Sequence, residues 1–491
     1  MPTQPPSPQP TTTFELHQLS NMERVKRFFR SSPDYEPLDN GAEREEEDVH
    51  DESEEVEAEA PFSWVEYAIF LLLGIAMLWA WNMFLAAAPY FQHRFRTSEW
   101  ILNHFQAAEI SVSTVTNLAS MIALTQLQKG ASYPKRITAS LIINTVVFGI
   151  LALSTLIPTP AGVYFGFLLI AIFCASFSTG LIQNGLFSFA SGFGRSEYTQ
   201  AIMTGQAVAG VLPPLAQIIS VAAFPKKNQG GADSADESPT SALVYFLTAT
   251  IISVISLFAF FYLLRKESRA RALRAAAKST PDGTSGEILP RSSGVSDITE
   301  VDHAGHRPQV PLMTLFRKLP FLSAAVFICF AVTMVFPVFT ASIRSVRGID
   351  AAIFIPTAFL VWNTGDLLGR LATLWKRISL THYPFALCCL AMARLLFIPL
   401  YFLCNVKDRG AIIKSDFFYL AIVQFLFGLT NGYLGSECMM GSGDWVAPEE
   451  REAAGGFMGL MLVGGLTVGS LLSLSCSEMS SRAELHKQKD T

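Results

Sequence analysis

"VWNTGDLLGRLATLW" (361–375) is the stretch on which the reading of the whole chain turns. It belongs to a long apolar run that begins near Ile353, yet it carries Asp366 and Arg370, four residues apart. On a helix, residues four apart lie one turn above each other on the same face and can meet. In water such a pair is ordinary. In a membrane-spanning helix an isolated charge is costly, so charged side chains there face a bundle interior or a water-filled cavity.

The rest of the chain makes the surroundings lipid. Of 491 residues, half are hydrophobic and 16% are charged, against about a quarter charged in soluble proteins. The apolar residues come in blocks of about 20, the length a helix needs to cross a bilayer. Spans are predicted at 64–90, 107–128, 137–157, 163–190, 198–223, 241–264, 319–342, 351–374, 383–404, 416–438 and 453–475. Alternation of apolar and polar residues, the mark of a membrane strand, is missing from these blocks. In lipid, backbone groups must be satisfied within the segment, which a helix does. The fold class is therefore an all-α polytopic membrane protein with about 11 transmembrane helices.

The blocks also set the organisation. Residues 1–62 are rich in Pro, Ser, Thr and acids, eleven of the acids falling in 41–60. Such a segment buries too little apolar surface to fold, so a disordered acidic tail is expected. No short apolar core follows a basic start, so no cleaved signal peptide is expected and the tail is assigned to the cytoplasm. A polar stretch at 265–318 divides six spans (63–264) from five (319–476), and 477–491 reads as a short C-terminal tail. A 6+5 arrangement about a cytoplasmic linker suggests two bundles rocking around a central site, resembling the major facilitator architecture. "QKGASYPKR" (127–136), "RKESRARALR" (265–274) and "WKR" (375–377) are basic and fall on the same side as the N-terminus, which favours a cytoplasmic N-terminus. "NVKDRGAIIK" (405–414) is basic on the other side.

The composition excludes several kinds of chemistry. The seven cysteines form no CxxC pair and have no His cluster near them, so they read as small core residues. No GxGxxG, phosphate loop, nucleophile elbow or HExxH occurs. No catalytic residue, cofactor or metal is expected. The basic clusters are short and juxtamembrane, so nucleic acid is not an expected partner; membrane lipid is.

Several stretches resemble the equilibrative nucleoside transporter family. They are "WNMFLAAAPYF" (81–91), "GLIQNGLFSFASGFGRSEYTQAIMTGQAVAG" (180–210), "FIPTAFLVWNTGDLLGR" (354–370), "ARLLFIPLYFLCN" (393–405), and "NGYLGSECMM" (431–440) followed by "EEREAAGGFMGLMLVGGLTVG" (449–469). They keep the family's order and spacing over about 64–475. Two positions depart from its pattern. Ala80 stands where proline usually precedes the Trp-Asn pair, and Glu437 stands where a leucine-like residue is common.

The resemblance implies a nucleoside substrate and a set of site residues. A carboxylate accepts hydrogen bonds from vicinal hydroxyls, and a guanidinium offers a fixed fork of donors. Asp366 and Arg370 are thus suited to a ribose, and the matching pair in the family contacts the nucleoside sugar; bracing span 8 against its neighbours is the structural alternative. Asn363, three residues earlier, shares their face. Gln183 matches a glutamine that reads the base; an interhelical hydrogen bond is its alternative. Trp81, Leu85, Phe359 and Leu466 match positions that enclose the nucleoside in apolar surface. Glu437, near the cytoplasmic end of span 10, is a coupling candidate or, more simply, an acid snorkelling to water. Glycines in spans 5 and 11 allow close helix contact, and Pro213 and Pro214 should bend span 5.

The expected function is nucleoside transport by alternating access, facilitative, with free bases as further substrates. The alternatives are proton-coupled transport, with Asp366 or Glu437 titrating, and a non-transporting receptor or scaffold. "YEPL" (Tyr35–Leu38) fits a tyrosine-type sorting signal for an adaptor, which favours an endosomal, lysosomal or vacuolar membrane over the plasma membrane.

Overall fold

The computed structural model describes residues 62–128, 131–223, 239–278 and 310–489. The acidic tail, the Tyr35–Leu38 motif and residues 279–309 of the linker lie outside the described residues. Among the described residues, eleven helices are long and apolar enough to cross a membrane. They are α1 Trp64–Arg94, α2 Glu99–Gln126, α3 Tyr133–Ser154, α4 Ala161–Ser191, α5 Ser196–Ile219, α6 Ala242–Ala270, α7 Pro320–Ser342, α8 Ala351–Ala372, α9 Pro384–Phe402, α10 Phe418–Trp445 and α11 Pro448–Ser473. Each matches one predicted span. Successive helices run in opposite directions, so the molecule has a proximal face, where α1 begins, and a distal face.

Three boundaries differ from expectation. α2 begins at Glu99, earlier than its apolar block, because His104, Gln106 and Glu109 break the hydropathy but not the helix. The helix of α6 runs on through Lys278, since "RKESRARALRAAAK" consists largely of strong helix formers. The last helix continues to Lys489, through most of the expected C-terminal tail.

Several spans are jointed. α1 restarts at Ala88 with Pro89 in its new first turn, where a missing N–H costs nothing. α9 passes through a 3-10 turn at Arg394–Leu396. α10 opens with a π-helical stretch at Phe418–Phe425. Pro213 and Pro214 lie inside α5, and the helix runs through them.

The helices sort into two bundles. α1 packs on α5 and α6, α3 on α4 and α6, and α2 on α4. On the other side α7 packs on α9, α10 and α11, and α8 on α10. The bundles meet along two seams, α5 against α8 and α10, and α4 with α2 against α11.

On either side of the first seam, backbone contact draws helices of the same bundle together. Gly365 and Gly369 of α8 face Gly428 and Gly432 of α10, each pair spaced by four. A Cβ at Gly369 would strike Leu429 O and Tyr433 N, and one at Gly432 would strike Asp366 O. Only a residue without a side chain lets the backbones approach so closely. Across the seam, Gly74 of α1 lies on Ile202 O of α5, and Gly205 of α5 on Leu71 O of α1.

Candidate functional site

Asp366 and Arg370 sit on α8 where it meets α5, 3% and 5% exposed. Arg370 Nε donates to Asp366 Oδ2 at 2.8 Å, closing the i,i+4 pair expected from the sequence. The pair is not isolated. Arg370 Nη1 donates to Met203 O at 2.6 Å and to Gln206 Oε1 at 3.3 Å, both on α5. Gln200 Nε2 donates back to Arg370 O at 3.1 Å, and Gln200 Oε1 accepts from Tyr67 Oη of α1 at 2.7 Å. The guanidinium therefore fastens one bundle to the backbone of the other.

The other carboxylate oxygen is occupied too. Asn431 Nδ2 of α10 donates to Asp366 Oδ1 at 2.7 Å. Asn431 Oδ1 in turn accepts from Arg394 Nη1 of α9 at 3.0 Å and from Thr333 Oγ1 of α7 at 2.5 Å. Buried ions are tolerated only when paired and hydrogen-bonded, and this network draws its partners from four helices of one bundle and two of the other.

The second seam is different. Gln183 is buried on α4, and its backbone O lies 4.0 Å from where a Cβ at Gly459 of α11 would stand. Its Oε1 has no hydrogen-bond partner among the described residues. The expected alternative, an interhelical hydrogen bond through that oxygen, is not made. Nearby on α2, Asn117 Oδ1 is also buried without a partner and faces bare Gly180 of α4. Further along α2, Glu109 is buried with Oε1 unpartnered, and Ser113 accepts from Ser176 of α4 at 2.9 Å.

The remaining expected residues are dispersed. Asn363, half-buried, uses its amide N–H on Phe359 O of its own helix at 2.8 Å, while its oxygen faces Gly210 of α5. Phe359 packs edge-on against Phe336 of α7, with centroids 5.0 Å apart. Leu466 of α11 packs against the central core. Trp81 of α1 is half-buried, and Leu85, one turn toward the distal face, is 53% exposed. The contacts that close the seams are concentrated in the proximal half: Arg370 on Met203, and Gly455 and Gly456 of α11 against Phe187, Ser188 and Ser191 of α4.

Glu437 requires a correction. It does not snorkel to water: it is completely buried. Its Oε2 accepts from Ser379 Oγ and Leu380 N, each at 2.9 Å, which staples the 379–381 loop onto α10. Tyr433 Oη donates to Ile378 O on the same loop, and Trp445 Nε1 to Thr381 O at 3.2 Å. A loop that folds back over a helix end, invisible to hydropathy, is what covers the acid. Its Oε1 is left without a partner.

Sequence reasoning missed Arg394, Asn431, Gln200, Gln206 and Glu109. Arg394 and Glu109 were open to discovery by the argument applied to Arg370, since both are charges within apolar runs. The three amides carry no such signal.

Cysteines conform in part. Among the described residues six are free; Cys329, Cys404 and Cys438 are buried, while Cys389 is exposed. Burial pushes the Cys404 thiol, in the connection after α9, up to about 12.

A bundle of six and a bundle of five membrane helices, meeting at seams that carry buried polar groups, define a multi-pass membrane transporter of the major facilitator fold. Solved structures agree. The E. coli fucose:proton symporter FucP aligns over 85% of this chain and 93% of its own, with a TM-score of 0.51 and 13% identity. The proton:xylose symporter XylE bound to 6-bromo-6-deoxy-D-glucose aligns over 86% and 88%, with a TM-score of 0.50 and 14% identity.

A family model described as nucleoside transporter matches residues 169–477. Nucleoside transporter FUN26 of Saccharomyces cerevisiae is 30% identical over 445 residues, covering 83% of both chains. Equilibrative nucleoside transporter 2 of Homo sapiens is 30% identical over 449 residues, covering 82% of this chain and 95% of its own. The chain belongs to the nucleoside transporter family, which is not a family of enzymes.

Proposed function

We propose that this protein carries nucleosides, and with them free bases, through a membrane by facilitative alternating access. The observation that carries the reading is the position of the polar residues: Asp366 and Arg370 on one inter-bundle seam, Gln183 on the other. A solute held between two rocking bundles must touch both. On this reading Asp366 and Arg370 hold the ribose hydroxyls, with Asn363 on the same face, and Gln183 reads the base through its unpartnered Oε1. Trp81, Leu85, Phe359 and Leu466 provide apolar walls. The six-helix bundle at 63–264 and the five-helix bundle at 319–476 are the moving halves.

Closure in the proximal half supports a conformation open toward the distal side. With the N-terminus in the cytoplasm, that side is the lumen or the exterior. The Tyr35–Leu38 motif supports an endosomal, lysosomal or vacuolar membrane through a sorting adaptor.

The test is uptake of labelled adenosine and uridine into proteoliposomes holding the purified protein. Saturable uptake that each nucleoside inhibits for the other is expected. Absence of saturable uptake by folded protein overturns the carrier reading in favour of a receptor or scaffold. A second reading, proton coupling through Glu437, is favoured by its buried, unpartnered Oε1. It predicts accumulation driven by a pH gradient that Glu437→Gln abolishes.

A further inference from the structure

Arg394 is 1% exposed, in the 3-10 turn that interrupts α9. A buried cation calls for a counter-charge, yet no carboxylate is among its hydrogen-bond partners. Nη1 donates to Cys329 O at 2.9 Å, Cys329 Sγ at 2.5 Å and Asn431 Oδ1 at 3.0 Å. Nη2 donates to Thr333 Oγ1 at 3.1 Å and Phe427 O at 3.5 Å, and the guanidinium carbon lies 4.7 Å from the Phe427 ring centroid.

These contacts fix an orientation. A guanidinium can only donate, so the Asn431 atom facing Arg394 must be the amide oxygen. The amide nitrogen must then face Asp366, which as a carboxylate can only accept. Turned the other way, Asn431 would set N–H against N–H and oxygen against oxygen. Arg394 thus acts through Asn431 on the acceptor assigned to the sugar. Asn431 takes a lone pair of Oδ1 and Arg370 takes one of Oδ2, which leaves a lone pair on each oxygen for a vicinal pair of hydroxyls.

We infer that Arg394 is a positioning residue for sugar specificity: through Asn431 it orients Asp366 so that the carrier prefers nucleosides bearing both 2′- and 3′-hydroxyls. The inference rests on the nucleoside-carrier reading above. It concerns the ratio between two substrates rather than the occurrence of transport.

The experiment measures uptake of uridine and of 2′,3′-dideoxyuridine into proteoliposomes, per unit of monodisperse protein, for the unaltered protein, Arg394→Met, Arg394→Lys and Asn431→Ser. In Arg394→Met the preference for uridine in apparent KM should fall about tenfold, as expected for the hydrogen bonds to a charged group that it disturbs. Dideoxyuridine uptake should change less than about twofold. Arg394→Lys, which keeps a donor but not the fork, should recover part of the preference, and Asn431→Ser should lose it. Equal losses for both substrates, with the ratio preserved, mean that Arg394 only supports the fold and overturn the inference. If Arg394→Met gives no folded protein, an unchanged ratio in both Arg394→Lys and Asn431→Ser overturns it. An unaltered protein that takes up neither compound counts against the carrier reading instead, and one that takes up both equally against the ribose site.

Discussion

The two seams between the bundles are both polar at their centres, and they treat their hydrogen bonds in opposite ways. At the α5–α8 seam each carboxylate oxygen of Asp366 has a donor, and Arg370 and Arg394 are spread over acceptors on α5, α7, α8 and α10. On α2 and α4, the six-helix side of the other seam, Gln183 Oε1, Asn117 Oδ1 and Glu109 Oε1 are buried with no donor. A buried polar group without a partner costs free energy, so its persistence calls for a reason. At the first seam each oxygen of Asp366 already has one donor without substrate. The other leaves acceptors open, which is what a base carrying N–H groups would fill.

The contrast can be broken first at its charged end. Asp366→Asn should cut uptake roughly a hundredfold or more, because breaking a buried pair costs about 3–5 kcal/mol, and Arg370→Lys, which keeps the charge but loses the planar donor fork, should also cut it severely. Uptake within tenfold of the unaltered protein in both would mean that the seam tolerates losing either the charge or the fork. Exchanging the residues, Asp366→Arg with Arg370→Asp, should not restore transport. Position 370 must donate to Met203 O, and an aspartate there sets oxygen against oxygen. Near-normal uptake by the exchanged protein would sink the ribose assignment and the bundle-fastening role together.

Next in size is the backbone contact beneath the pair. Gly432→Val forces α8 and α10 apart, an overpacking cost of about 1–3 kcal/mol. It should lower the temperature at which the detergent-solubilised protein loses monodispersity and weaken uptake of every nucleoside alike. Gly149→Val, at a site with nothing within 4 Å of the added Cβ, is the matched control and should do neither.

The open seam should respond more gently and more selectively. Gln183→Leu removes hydrogen bonds worth about 0.5–1.5 kcal/mol each, so affinity should fall about tenfold or less and unequally between bases. Discrimination against dideoxynucleosides should survive. An equal loss for every base would reduce Gln183 to packing and erase the contrast between the seams. Smallest of all, Tyr35→Ala should leave uptake in proteoliposomes unchanged and move the protein to the cell surface. An unchanged location in cells removes the motif from sorting.

Much of this molecule was legible from its sequence because lipid imposes a simple rule. Each helix must satisfy its own backbone and present about 20 apolar residues, so the eleven spans could be counted from hydropathy alone. The same rule made Asp366 and Arg370 conspicuous, since a charge in such a block needs an inward-facing reason. What hydropathy could not convey was which residues complete the pair. Asn431 becomes a partner only because paired glycines bring α8 against α10, and Gln206 only because α5 packs on α8 across the seam; spacing along one helix contains no record of the helix across from it. Glu437 went the same way: its position suggested water, and the 379–381 loop folding over α10 buries it. The sequence by itself determined the helices, their alternation and the charges that must point inward, because these depend on each segment's own exchange of water for lipid. Which polar groups end up satisfied and which stay open was decided only by the tertiary structure, because a hydrogen bond is made at about 3 Å between groups that lie scores of residues apart in the chain.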